Sequence, residues 1–217
     1  MTQNTELSDR DLCLVRLRFL DLFKSFFQDT PDAERISRWR GIFAALNKER
    51  INQQLDTVIR ELGEMLDNKD LRELREEYYD LFVDPYSKHL LPLNAAFYLD
   101  GKSFGPSLVS YRELLKQNQL IKNDSITDSE DSLLLMLDTL ITLVEEEKQG
   151  SDMAREVQDQ LLHQFLLPTA HHIEKSIKGN PKADFYQKCM AFLCAYLELE
   201  QGLLQNKPET NWQSINN

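Results

Sequence analysis

Apolar residues recur at three- and four-residue spacing along most of the chain, and no stretch alternates strictly enough to mark a strand. Leu12, Val15, Phe19, Leu22, Phe23 and Phe26 form one face of a first helix that Ser8 can cap, and Phe27 widens that face so that the helix is buried on more than one side. Thr30-Pro31-Asp32 opens a second helix, with proline at the first helical position and acids in the first turn, and Ile36, Trp39, Phe43 and Leu46 point inward. Ile51, Leu55, Val58, Leu62 and Met65 define a third. The polar tetrad Asp67 to Asp70 separates it from a fourth, in which Leu71, Leu74, Tyr78, Leu81 and Phe82 share a face. Asp84-Pro85 stops the pattern, because proline disfavours the α conformation of the residue before it.

The second half reads in the same way. Leu108, Tyr111, Leu114 and Leu115 mark a short helix, after which the chain is mainly polar over 116–129, the candidate for a hinge. Leu133 to Val144 is apolar nearly all round, which predicts a helix running through the centre of the second half. Met153, Val157, Leu161 and Phe165 give another face, ended by Pro168. A short helix over 171–178 stops at Gly179-Asn180-Pro181, and the last long helix covers about 182–204. The expected class is all-α, a single compact helical domain of eight or nine helices over 1–205, with a polar tail at 206–217.

The break after the fourth helix departs from this regularity. About twenty residues carry no helical period, yet they include His89, Leu90, Leu91, Phe97, Tyr98 and Leu99. Pro85, Pro92 and Pro106 punctuate the segment and are three of the seven prolines. Long structureless loops in compact domains are functional or disordered, and the aromatic content argues against disorder. Tyr78, Leu81 and Phe82 on the helix, facing Leu90, Leu91, Pro92, Phe97 and Tyr98 on the loop, would form a groove for an apolar peptide in helical or extended form.

Composition narrows the function. The chain has 217 residues, is 41% hydrophobic and carries a formal net charge of −11. That charge disfavours nucleic acid, whose binding is driven by phosphate neutralisation, and suits a basic partner. No run is long and apolar enough for an integral membrane segment, and the first residues lack the basic start and apolar core of a signal peptide, so a cytoplasmic location is expected. Cys13, Cys189 and Cys194 have neither zinc spacing nor a CxxC motif and read as reduced packing thiols. The four histidines, His89, His163, His171 and His172, form no HExxH or ExxH pair. No phosphate loop and no nucleophile with an evident base is present, so the chain is not expected to be an enzyme. A metal-dependent all-α hydrolase remains the contrasting class.

Glu77-Tyr78-Tyr79-Asp80-Leu81-Phe82, the proline-containing apolar loop, and then Phe97-Tyr98-Leu99-Asp100-Gly101 with its Gly-Pro-Ser turn resemble the TorD/DmsD/NarJ family of redox-enzyme maturation chaperones. The likeness extends over most of the chain. It takes in the Arg/Leu/Phe-rich first helix and Pro-Asp turn from Leu17 to Asp32, the acidic loop before the Leu-rich helix (Asp128 to Leu137), Leu167-Pro168 and Phe185-Tyr186. The resemblance implies a protein without a cofactor. It would hold the twin-arginine signal peptide and apo form of a molybdopterin oxidoreductase catalytic subunit, assisting insertion of the molybdenum cofactor and preventing premature export. It also implies a binding site at Glu77, Tyr78, Leu81, Phe82, Pro92, Phe97, Tyr98, Asp128 and Ser129, where Asp128 matches the family's acid and Ser129 stands in place of its histidine. Leu93-Asn94 follows Pro92 where a tryptophan is common in the family. Two guanidinium groups followed by an apolar segment call for carboxylates beside a greasy groove. A NarJ-like chaperone for a client that is not exported is the alternative within the family. The resemblance allows either a monomer or a helix-exchanged dimer.

Overall fold

The computed structural model describes residues 8–123 and 125–205, so the polar tail expected at 206–217 lies outside the described residues. The helices are α1 (Asp9–Phe27), α2 (Ala33–Leu46), α3 (Gln53–Asn68), α4 (Leu71–Phe82), α5 (Ala95–Leu99), α6 (Pro106–Gln117), α7 (Leu133–Lys148), α8 (Asp152–Leu161), α9 (Leu167–Ile177) and α10 (Phe185–Gln205). A π turn, Leu162–Leu166, joins α8 to α9 in one continuous rod. Among the described residues there is no strand, only an isolated antiparallel bridge between Asn94 and Ser132. The class is all-α, as expected.

Short polar residues start most of these helices by accepting a hydrogen bond from an otherwise unpaired N–H of the first turn. Ser8, Asp32, Asn52, Ser132 and Ser151 each do so, and Asp70 forms a capping box with Glu73. Asp32, not Pro31, is therefore the start of α2: the proline lies just before the cap. The rod through Pro168 is a second departure from expectation. Proline lacks an N–H and would break a regular ladder, but it falls in the first turn of α9, directly after the π turn has shifted the ladder. The helix turns a local defect into a bulge and continues.

The centre of the molecule is α10, which packs against α1, α3, α4, α8 and α9. The apolar α7, expected at the centre of the second half, packs on α1 and α8 and buries Leu133, Met136, Leu137, Leu140, Leu143 and Val144, while Leu134, Leu135 and Ile141 stay partly exposed. Composition reports how much apolar surface a helix has, whereas its neighbours decide how much is covered. Phe19, Phe23 and Phe26 of α1 interleave with Phe185, Phe192 and Tyr196 of α10 and with Trp39 and Phe43 of α2, at ring-centroid distances between 4.8 and 6.4 Å.

One polar cluster crosses this core. The Arg16 guanidinium donates to Glu200 (2.7 and 2.9 Å) and to Glu147 (2.6 Å), and also to the Gln158 side-chain carbonyl. Arg155 donates to the other Glu147 oxygen at 2.9 Å. Two arginines and two glutamates thus balance, tying α1, α7, α8 and α10 together.

Candidate functional site

The segment between α4 and α6 lies over the ends of α4, α7, α9 and α10. Its inner wall is built by residues that the sequence reading placed in a groove. Glu77 is buried, and its Oε1 accepts hydrogen bonds from the Asp184 and Tyr186 N–H groups, both at 2.8 Å. It caps α10 from a neighbouring helix. Burial pushes its carboxyl above the usual range against the opposing pull of those N–H bonds and of Lys69. Tyr78 is also inside: its hydroxyl donates to the Phe27 carbonyl at 3.0 Å, its ring packs on Phe82 and Tyr186, and burial raises its pKa to about 12. Leu81 is fully buried, and its carbonyl accepts from the Leu91 N–H at 2.8 Å, folding the loop back on the helix. Glu77, Tyr78 and Leu81 do not line an open groove. They are the footing of the loop, because the α4 face that carries them is covered by α10. Phe82 stands at the margin, partly buried and edge-on to Phe27 and Tyr186.

The outer part of the loop is different. Tyr86 is 93% exposed, Phe104 77%, Phe97 40% and Leu90 39%. With Val83 these make five of the twelve large apolar side chains exposed among the described residues, gathered in about a tenth of the chain. Such clustering is what distinguishes a binding surface from scattered surface hydrophobics. The loop is not wholly irregular, since Ala95–Leu99 forms α5 and carries Phe97 outward and Tyr98 inward. Tyr98 lies flat over His172 of α9, with ring centroids 6.3 Å apart, and burial raises its pKa to about 12. Beside His172 opens a cleft of about 390 Å³ lined by His163, Leu167, Pro168, His171, Lys175 and Gln201. Pro92 is partly exposed between the two parts of the loop.

Asp131, which the sequence reading missed, joins this loop to α7. The side chain is 1% exposed and accepts from the Ala96 N–H (2.8 Å), from the Asn94 amide (3.3 Å) and from the Ser129 hydroxyl (2.6 Å). Its carbonyl accepts from the Ala95 N–H, and the Leu133 N–H donates to the Leu93 carbonyl. Asp128, the acid expected at this place, is exposed three residues earlier, with its carbonyl held by Lys122. Ser129 supports Asp131 directly. The signal in the sequence was Ser132, a capping residue immediately before the Leu-rich run, which dates the start of α7 and puts Asp131 at its mouth. The bonds around Asp131 set the 128–131 segment, including Glu130 in its ion pair with Arg112, alongside α5.

An apolar surface fixed on a helical scaffold, with carboxylates beside it, is the layout of a protein that binds another chain. Among the described residues no group of three or more histidine, cysteine, aspartate or glutamate side chains could hold a metal ion. The model of the family described as nitrate reductase delta subunit matches residues 48–173, more than half of the chain, and the chain belongs to this family, that of the TorD/NarJ redox-enzyme maturation chaperones. The match runs from before α3 into α9 and so includes the whole loop. The chain is 27% identical over 169 residues to the Chaperone protein TorD of Actinobacillus succinogenes, across 78% of this chain and 83% of that protein. It also aligns with a crystal structure described as a redox enzyme maturation protein of Archaeoglobus fulgidus. That alignment covers 88% of this chain and 94% of the other at 16% identity and a TM-score of 0.45. The family is one of chaperones and not of catalysts, and among the described residues no helix is long and apolar enough to cross a membrane.

Proposed function

We propose that this chaperone of redox-enzyme maturation binds the twin-arginine leader of a molybdopterin oxidoreductase catalytic subunit on the surface between Val83 and Tyr98. The observation that carries this reading is the gathering of Leu90, Phe97 and their neighbours on a loop whose inner residues are locked into the core. An apolar peptide segment covers Leu90, Pro92, Phe97 and the edge of Tyr98, and an arginine reaches Asp128, exposed on the 128–131 segment that Asp131 holds beside α5. The net charge of −11 favours encounter with such a peptide, and the attraction weakens with salt. In the second reading, that of a NarJ-like chaperone, the same surface holds a client that is not exported.

Calorimetry with a twin-arginine leader peptide and a twin-lysine control, each at low and high salt, separates the two. The first reading expects tighter, salt-sensitive binding of the arginine peptide. Equal binding of both peptides, or binding of neither, overturns it in favour of the second.

A further inference from the structure

We infer that the Tyr186 hydroxyl is a reserved hydrogen-bond donor for a main-chain carbonyl of the bound leader, uncovered when the Phe82 ring turns aside. The inference rests on the leader reading above and names the residue that meets the peptide's backbone. Tyr186 is fully buried, yet its hydroxyl has no hydrogen-bond partner among the described residues. The neighbouring Tyr78 hydroxyl, by contrast, donates to the Phe27 carbonyl. The rings of Phe27, Tyr78, Phe82 and Phe185 surround Tyr186 at centroid distances between 5.3 and 6.4 Å. A phenylalanine would fill this aromatic site without leaving a donor unpaired. The hydroxyl therefore costs stability in the free protein, and its use lies in the bound state.

Of the four surrounding rings, Phe82 alone is partly exposed. It ends α4, and Val83 after it leaves helical geometry with φ −122° and ψ −46° and is 45% exposed. A change of rotamer at Phe82 opens the aromatic site toward the surface on which the leader lies. The loop offers such a peptide few donors of its own. Between Val83 and Pro92, every N–H other than that of Lys88 donates within the protein, and Pro85 and Pro92 have none. An apolar peptide laid across this stretch buries carbonyls that main-chain pairing leaves unmet, and a side-chain hydroxyl can meet one of them. The ring-lined site fits a neutral acceptor and excludes the leader's arginines, which would lose their water there.

Thermal melts and calorimetry compare wild type with Tyr186→Phe. The probes are a leader peptide that the wild type binds and a set of the same peptide in which each amide of the apolar segment in turn becomes an ester, whose carbonyl is a weaker acceptor. Tyr186→Phe should melt at or above the wild-type temperature, because an unpaired buried donor is gone. It should bind the leader about fivefold or more weakly, the effect of losing one buried hydrogen bond. One ester should weaken wild type more than it weakens Tyr186→Phe, a coupling that a merely structural tyrosine would not produce. That coupling also reports the turn of Phe82, whose ring otherwise seals the hydroxyl. A lower melting temperature for Tyr186→Phe, unchanged affinity, or equal ester effects in both proteins overturns the inference and leaves the leader reading intact. Wild type that binds no leader removes that reading and this inference together.

Discussion

Glu77 shows how a residue near a binding surface can serve it from within. Both N–H groups that it caps meet a single carboxylate oxygen, so a glutamine amide oxygen can replace that atom without its charge. Glu77→Ala should cost about 1–3 kcal/mol, because two donors at the start of α10 lose their partner. Glu77→Gln should cost much less, as denaturant melts will register. The raised folded value means that the native state holds this proton more tightly than the unfolded chain. Stability from this group is therefore lost as pH rises from the ordinary carboxylate range through the raised value, and Glu77→Gln should abolish that loss in melts across pH 4 to 7. The contrast between Leu81 and Phe97 follows from the same burial. Leu81→Ala should cost about 2–5 kcal/mol as a core truncation, whereas Phe97→Ala should change stability by under about 1 kcal/mol and instead weaken the leader peptide.

At the scale of elements, Asp131 is the joint between α5 and α7, and its substitution tests whether the loop must be held to work. Asparagine in its place presents an amide where three donors converge, so at least one bond to Asn94, Ala96 or Ser129 is lost. Asp131→Asn should lower stability by about 1–3 kcal/mol and reduce peptide affinity through loosening of α5, visible as faster amide exchange over 94–99. Asp128→Asn, on the exposed side of the same segment, should stay within about 0.5 kcal/mol of wild type and weaken the peptide only by removing charge. A large drop in melting temperature for Asp128→Asn would show that the segment is held by both acids.

Across the whole molecule, the Arg16 cluster fixes how four helices meet. Arg16→Ala leaves the buried Glu200 carboxylate of α10 without its cation, while Glu147 of α7 keeps Arg155, and should cost about 3–5 kcal/mol, measured by denaturant melts. Burial raises the Glu147 carboxyl, but the Gln158 amide, Arg16 and Arg155 outweigh it and leave the value lowered. Stability from Glu147 is thus present above the ordinary carboxylate range and lost as pH falls through the lowered value. Acid melts should show this loss in wild type and a flatter profile in Glu147→Gln.

The chain by itself determined most of the helices and several of their limits, because these depend on neighbours in sequence. The period of Leu12 to Phe26, the caps at Ser8 and Asp70, and the stop at Asp84-Pro85 are all local physics. It also determined that the loop after α4 is unusual, since aromatic residues without a helical period stand out against amphipathic helices. Tertiary structure decided which way each apolar face looks. Tyr78 and Leu81 share a helix stripe whether that stripe meets solvent or protein, and only the placement of distant helices makes them core, Tyr78 being held by Phe27 of α1 and Tyr186 of α10. It likewise put the buried joint at Asp131, because the Ala96 N–H that meets its carboxylate comes from α5, more than thirty residues away in sequence. It made α10 the helix on which α1, α3, α4, α8 and α9 converge, and it carried α9 through Pro168 by way of the π turn. Period and propensity act over one or two turns of chain, whereas burial is a property of which distant surfaces come to share the same space.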